Sequence, residues 1–119
     1  MKSTTTAQGR IAEDQACAYL QAQGLVLLER NYQQRGGEID LIFYDHDYLV
    51  FVEVRFRQCN DFGGALSSID LRKQQRLIRT ATHYLMQHAV TKPVRFDVVA
   101  LTPTHLEWIK DAFSADAND

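Results

Sequence analysis

Residues Gly36–Arg57 read GGEIDLIFYDHDYLVFVEVRFR, and the alternation within this stretch decides the fold. Glu38, Asp40 and Ile42 alternate with Ile39, Leu41 and Phe43. After a polar connection, Leu49, Phe51, Glu53, Arg55 and Arg57 alternate with Val50, Val52, Val54 and Phe56. A period of two marks a strand, and two such runs joined by a few polar residues make a hairpin. The other positions are apolar, β-branched or aromatic, which is the composition of buried sheet. Glu38, Asp40, Glu53 and Arg55 therefore fall where core is expected. A carboxylate taken out of water without a partner is costly, so such groups are paired, bound to a metal or set along a cleft.

Register determines whether these charges meet. With Tyr44 paired to Leu49 across a four-residue loop, Asp45–Tyr48, Asp40 lies opposite Glu53 and Glu38 opposite Arg55. A slip of one residue would put the two acids on opposite faces. The first register brings their β-carbons to about 5 Å, where two carboxylates repel unless a proton or a cation lies between them. A hard divalent ion suits the position, since Mg²⁺ takes one or two carboxylates together with waters and substrate phosphate. A purely structural alternative makes Glu38, Glu53, Arg55 and Arg57 a salt-bridge ladder across the hairpin. That ladder accounts for the Glu–Arg pairs but not for Asp40 facing Glu53.

Outside this stretch, composition sets limits. A chain of 119 residues, 45% hydrophobic and 24% charged, is expected to form one soluble globular domain spanning 1–119. No apolar run approaches the ~18 residues of a membrane span. The start MKSTTTAQ holds no hydrophobic segment, so the expected location is cytoplasmic, with no membrane partner. Cys17 and Cys59 read as free thiols, and His46, His83, His88 and His105 form no ligand motif. A net charge of −2 gives no global attraction to nucleic acid, which leaves a local patch or a bound metal to supply one.

Taken in order, residues 1–5 and 114–119 are polar and expected to be flexible. A helix is expected from about Thr6 to Gln23, stopped by Gly24, with Gly9, Ala12, Ala16 and Leu20 as its buried stripe. Glu13 falls at the edge of that stripe, either as a structural ion-pair partner or as a third carboxylate of the site. Leu25–Leu28 reads as a short buried strand, followed by polar Glu29–Arg35 and the Gly36-Gly37 turn. Gln58–Leu66 is a glycine-containing loop beside the charged strand ends. Ser67 or Ser68 is expected to cap a helix reaching about His88, with Leu71, Leu77, Ile78, Ala81, Tyr84 and Leu85 as its apolar face. Arg72, Arg76, Arg79 and His83 line the other face and Lys73 the boundary. This is a solvated stripe or, if the helix borders the carboxylates, one that tracks phosphates. Val94–Leu101 is a strand in which Asp97 is buried or solvated at the edge. Thr102-Pro103-Thr104 is a turn, and His105–Lys110 a last strand with Trp108 as packing anchor. The order is α-β-β-β-α-β-β, an α/β (α+β) fold with a mixed central sheet flanked by helices.

An Asp on one strand and Glu-x-basic on the next, here Asp40, twelve residues, then Glu53-Val54-Arg55, resembles the core of the restriction-endonuclease-like nucleases. The resemblance narrows. Gly9, Glu13, Ala16, Tyr19-Leu20, Asn31-Tyr32, Gly37–Ile42, Phe51–Val54, Lys73, Tyr84-Leu85 and Arg95–Asp97 are similar to the bacterial YraN-like family over roughly residues 8–113. That family is assigned to the endonuclease-like fold and is similar to Holliday-junction resolvases. The resemblance implies a Mg²⁺- or Mn²⁺-dependent endonuclease acting on DNA. Asp40, Glu53 and Glu13 would be its metal ligands, the Val54 carbonyl a further oxygen, and Glu38 a neighbour that fixes the strand or pairs with arginine. Arg57, Arg72, Lys73 and Arg76 would contact nucleic acid, and a homodimer would suit a two-fold substrate. The family usually has lysine where this chain has Arg55, and arginine cannot give up its proton. Arg55 is then an electrostatic clamp, or Lys73 supplies the ammonium, or the protein binds nucleic acid without cutting it.

Overall fold

The computed structural model describes residues 6–58 and 69–115. The start 1–5, the expected loop beyond Gln58, Cys59, Ser67 and Ser68 (expected as caps), and the end of the tail, 116–119, lie outside the described residues. The elements are α1 (Ala7–Ala22), β1 (Val26–Gln34), β2 (Gly37–Asp45), β3 (Tyr48–Phe56), α2 (Leu71–Gln87), β4 (Val94–Leu101) and β5 (Leu106–Phe113). The expected order holds, and the fold is mixed α/β. The sheet runs β1-β2-β3-β4-β5. Only β3 and β4 are parallel, because α2 carries the chain back across the sheet between them.

Each helix covers one face. The Thr6 hydroxyl accepts from Gly9 N at the start of α1, and Gly24, at φ 98°, ends it. Ala12, Ala16, Cys17 and Leu20 then pack with Leu41, Phe43, Val50, Val52 and Val99. On the other face Leu77, Ala81 and Tyr84 pack with Ile42, Leu49, Phe51, Phe96 and Val98. Asp70, not a serine, caps α2 by accepting from Lys73 N at 2.9 Å. Leu71 departs from the expected apolar face and is 55% exposed. Six residues before Leu77, it is turned about 120° away from the buried stripe.

Two strands and one turn differ in length from the sequence reading. β1 continues through Glu29–Gln34, because an edge strand needs only backbone partners and its polar side chains stay wet. β5 extends to Phe113, whose ring stacks on Phe96 at 5.0 Å. The β2–β3 turn is shorter than four residues. Tyr44 pairs with Leu49 as expected, but Asp45 also pairs with Tyr48, leaving only His46 and Asp47, with His46 at φ 56°. Asp97 is a buried carboxylate, 1% exposed, not a solvated edge residue. It lies where the β4–β5 register shifts, and accepts from Arg95, the Trp108 indole and Asp111 N. Trp108 is therefore also a polar anchor.

The feature that positions the charged residues is a fork. Pairing of β2 with β3 runs only from Asp45↔Tyr48 to Leu41↔Val52. Beyond it β2 stays with β1 as far as Gly37, and β3 stays with β4 as far as Leu101. Alternation also reverses here. Ile39 and Ile42 share the α2-side core, whereas a regular strand would place them on opposite faces. On β1 the reversal occurs at Asn31, at φ 53°, so that Arg30 reaches α1 while Tyr32 joins the α2-side core.

The hairpin end of the fork is wedged against α2 at Gly37. A β-carbon there would fall on the Thr80 hydroxyl, close to the Arg76 carbonyl. Thr80 is buried and its hydroxyl donates to Arg76 O, so it has little room to give. Gly37→Ala is expected to cost about 2 kcal/mol through overpacking, read as a lowered midpoint in chemical denaturation. A midpoint equal to wild type would mean that α2 yields freely at this contact.

Candidate active site

Asp40 is fixed by backbone chemistry. Leu49 N and Arg57 N donate to the Pro93 and Leu101 carbonyls on the β4 side. By alternation along the strand, Val54 N faces β2. The β2 ladder has already ended there, and the Asp40 carboxylate takes the place of a strand carbonyl, Oδ2 accepting from Val54 N at 2.8 Å. Glu53, the preceding residue, is 7% exposed. It lies close enough to Asp40 for the charge of one carboxyl to act on the other.

Two cations converge on one oxygen of Glu53. Lys73 Nζ from α2 lies 3.6 Å from Oε2, and Arg55 Nε lies 3.5 Å from the same atom without the alignment of a hydrogen bond. Arg55 thus pairs along its own strand with Glu53, not across the hairpin with Glu38. The cross-strand ladder of Glu38, Glu53, Arg55 and Arg57 does not form, because the strands have parted before they reach those positions. Glu38 bonds to Asn31 instead.

A second pair of acids stands behind the first. Glu13, buried on α1, accepts from Asn31 Nδ2 at 3.1 Å, and Glu38 accepts from the same nitrogen at 3.3 Å. Arg30 lies 3.8 Å from Glu13 and hydrogen-bonds Asp14 at 2.7 Å. Glu13 is therefore held by polar contacts and also contributes to the field at Asp40. The basic residues divide by exposure. Arg55, Arg57 and Lys73 are half-buried at the fork, whereas Arg72, Arg76, Arg79 and His83 are exposed on the outer face of α2. Sequence reasoning missed Asn31 as the link between the two acids. Asn31 entered only as part of the family resemblance; its chemical signal is that asparagine is among the few side chains that tolerate φ above zero.

Burial, then the neighbouring Glu53, and then Glu13 and Glu38 push the Asp40 carboxyl well above its usual range, against the lowering effect of the Val54 amide. Burial also raises Glu53, opposed by Lys73 and Arg55. Two acids this close repel when both are ionised, and a divalent cation between them would relieve that repulsion. Among the described residues no three His, Cys, Asp or Glu side chains converge to hold an ion. The fit is to an ion held by two carboxylates and completed by water and phosphate, the habit of Mg²⁺.

These shifts make stability depend on pH. In the unfolded chain both carboxyls ionise near pH ~4, whereas the folded protein keeps protons to higher pH. The native state then binds more protons than the unfolded one, and stability falls as pH rises through that window. Asp40→Asn keeps an oxygen for Val54 N and offers an N–H to Glu53. It is expected to raise the thermal midpoint at about pH 8 and to change it little at about pH 4. A lowered midpoint at the higher pH would mean that the carboxylate stabilises the fork more than it strains it.

The profile of the uncharacterised protein family UPF0102 matches residues 12–101. A UPF0102 protein of Cupriavidus metallidurans is 57% identical over 118 residues, covering 98% of this chain and 88% of the relative. One of Dechloromonas aromatica is 53% identical over 116 residues, covering 95% and 93%. One of Pseudomonas putida is 52% identical over 118 residues, covering 93% and 95%. The matched span contains every carboxylate of the fork.

Proposed function

The chain belongs to the UPF0102 family, and we propose that it is a divalent-metal-dependent endonuclease that hydrolyses phosphodiester bonds in DNA. The observation that supports this reading is the Asp40 carboxylate held on Val54 N beside buried Glu53, two acids brought together where the sheet opens, each raising the cost of ionising there. The mixed α/β order and the fork are compatible with a restriction-endonuclease-like fold. Asp40 and Glu53 would hold Mg²⁺ or Mn²⁺, with Glu13 behind them as the helix carboxylate. Bound there, the metal lowers the pKa of its water and stabilises charge on the scissile phosphate.

The chain's own residues supply the rest. The Val54 amide holds the Asp40 carboxylate in one orientation, so the acid is preorganised before substrate arrives. Arg55 keeps a permanent charge at the cleft and suits a phosphate oxygen. Lys73, on the same oxygen of Glu53, places an ammonium where the usual strand lysine is missing. Arg57, Arg72 and Arg76 would track the flanking phosphates, and no Asp or Glu on α2 opposes them. A branched, two-fold DNA substrate would be met by a homodimer in the cytoplasm. The alternative, favoured by Arg55 alone, is a nucleic-acid-binding protein that no longer cuts.

Mn²⁺ titrated calorimetrically into wild type and Asp40→Ala, with and without a four-way DNA junction, followed by cleavage of the same samples, tests the reading. Wild type is expected to bind the ion and cut the junction, and Asp40→Ala to do neither. Lys73→Met is expected to lower cleavage about a hundredfold, as loss of one transition-state donor does, while Arg55→Lys remains active. Junction binding without cutting would establish the non-catalytic alternative. Wild type that binds neither ion nor junction would end both readings.

A further inference from the structure

We infer that Asn31 is a positioning residue of the fork, holding the helix carboxylate Glu13 and the strand carboxylate Glu38 with one side-chain amide so that both face Asp40. The inference rests on the metal-dependent reading of the site and goes beyond it by assigning a residue that neither binds the ion nor touches the scissile bond.

Three observations meet at this residue. Asn31 Nδ2 is the donor shared by Glu13 Oε1 at 3.1 Å and Glu38 Oε2 at 3.3 Å. These acids come from different elements, α1 and β2, and without a donor between them they would repel and turn outward. The second observation is the backbone. Asn31 sits at φ 53° in the interior of a strand, a conformation that costs energy there and persists only where the surroundings require it. The third is what that conformation does. It reverses the alternation of β1, so that Arg30 reaches Glu13 and Asp14 while the next side chain but one, Tyr32, enters the core under α2. In the β1–β2 ladder Arg30↔Leu41 and Tyr32↔Ile39 flank the reversal, which places Asn31 beside Asp40.

An ordinary strand kink would need the backbone twist but not the amide. Glycine supplies the one without the other, since it adopts positive φ at little cost. The two roles therefore separate in a pair of variants. Outer residues that orient ligands are worth about tenfold to a hundredfold in metal affinity.

The experiment is Mn²⁺ titration, by calorimetry and without DNA, into wild type, Asn31→Gly, Asn31→Ala, Glu13→Gln and the double variant Asn31→Gly/Glu13→Gln, each with its thermal midpoint and with Asp40→Ala alongside. Asn31→Gly is expected to keep a near-wild-type midpoint and to bind Mn²⁺ about tenfold more weakly. Asn31→Ala is expected to lose both stability and affinity. Because Asn31 acts through Glu13, the double variant is expected to bind no more weakly than Glu13→Gln alone. Mn²⁺ binding by Asn31→Gly equal to wild type, while Asp40→Ala binds none, overturns the positioning role and leaves the metal site standing. Additive losses in the double variant overturn the coupling through Glu13. Wild type that binds no Mn²⁺, either alone or with a four-way DNA junction, overturns the metal-dependent reading and this inference with it.

Discussion

A single backbone amide, Val54 N, holds the site together. It points toward β2 at the level where β2 has left the ladder, and a buried N–H without an acceptor costs about as much as a lost hydrogen bond. Asp40 supplies the acceptor from its side chain. Once the carboxylate is committed to that amide it cannot swing into solvent, and Glu53, one residue before the amide, is brought against it. The repulsion between the acids is thus a consequence of how the sheet opens. Neither acid relieves it by rotating away, because one is tied to the backbone and the other is buried beside Lys73 and Arg55.

The fork in turn depends on its two margins. On one side β2 remains bonded to β1, and the hairpin end is wedged against α2 where Gly37 has no side chain. On the other side β3 remains bonded to β4, and β4 is anchored by Asp97, which gathers Arg95, Trp108 and the Asp111 amide. Arg95 continues to Asp45 at the closed end of the β2–β3 hairpin. Half-buried Asp40 and fully buried Asp97 therefore have opposite characters. Asp97 has a cation and directed donors for its oxygens and is structural. Asp40 has one amide donor and three acidic neighbours, an arrangement that costs stability once it is ionised.

Much of this was legible in the chain. The period of two over Ile39–Phe43 and Leu49–Phe56 gave the hairpin, and charge within an apolar pattern pointed to Asp40 and Glu53. The pairing of Tyr44 with Leu49 followed from requiring those acids to meet. What periodicity could not express was the end of the ladder. The same alternation that puts Glu38 across from Arg55 assumes that the strands continue side by side, and they do not. The reversal at Asn31 was hidden for a related reason, since one residue at positive φ changes the face of everything before it without changing composition. Leu71 and the late start of α2 were missed because a serine and an aspartate are comparable caps, and only packing decides which one the chain uses.

The placement of Lys73 bears on the substitution at position 55. Two cations on one carboxylate oxygen are more than a structural ion pair requires, and their chemistry differs. The Arg55 guanidinium is permanently charged and comes from the rigid strand that carries Glu53. The Lys73 ammonium comes from the first turn of α2, where the helix dipole disfavours positive charge. Arg72 stands beside it, and the only acid nearby in sequence is the cap, Asp70. A helix that accepts this electrostatic cost at its start, in a chain of net charge −2, sets Lys73 at the fork and leaves Arg72 and Arg76 on its outer face. On the proposed reading, a phosphodiester at the fork would meet Lys73 and Arg55 beside the carboxylates, and these two cations would offset the repulsion that a pair of carboxylates presents to phosphate.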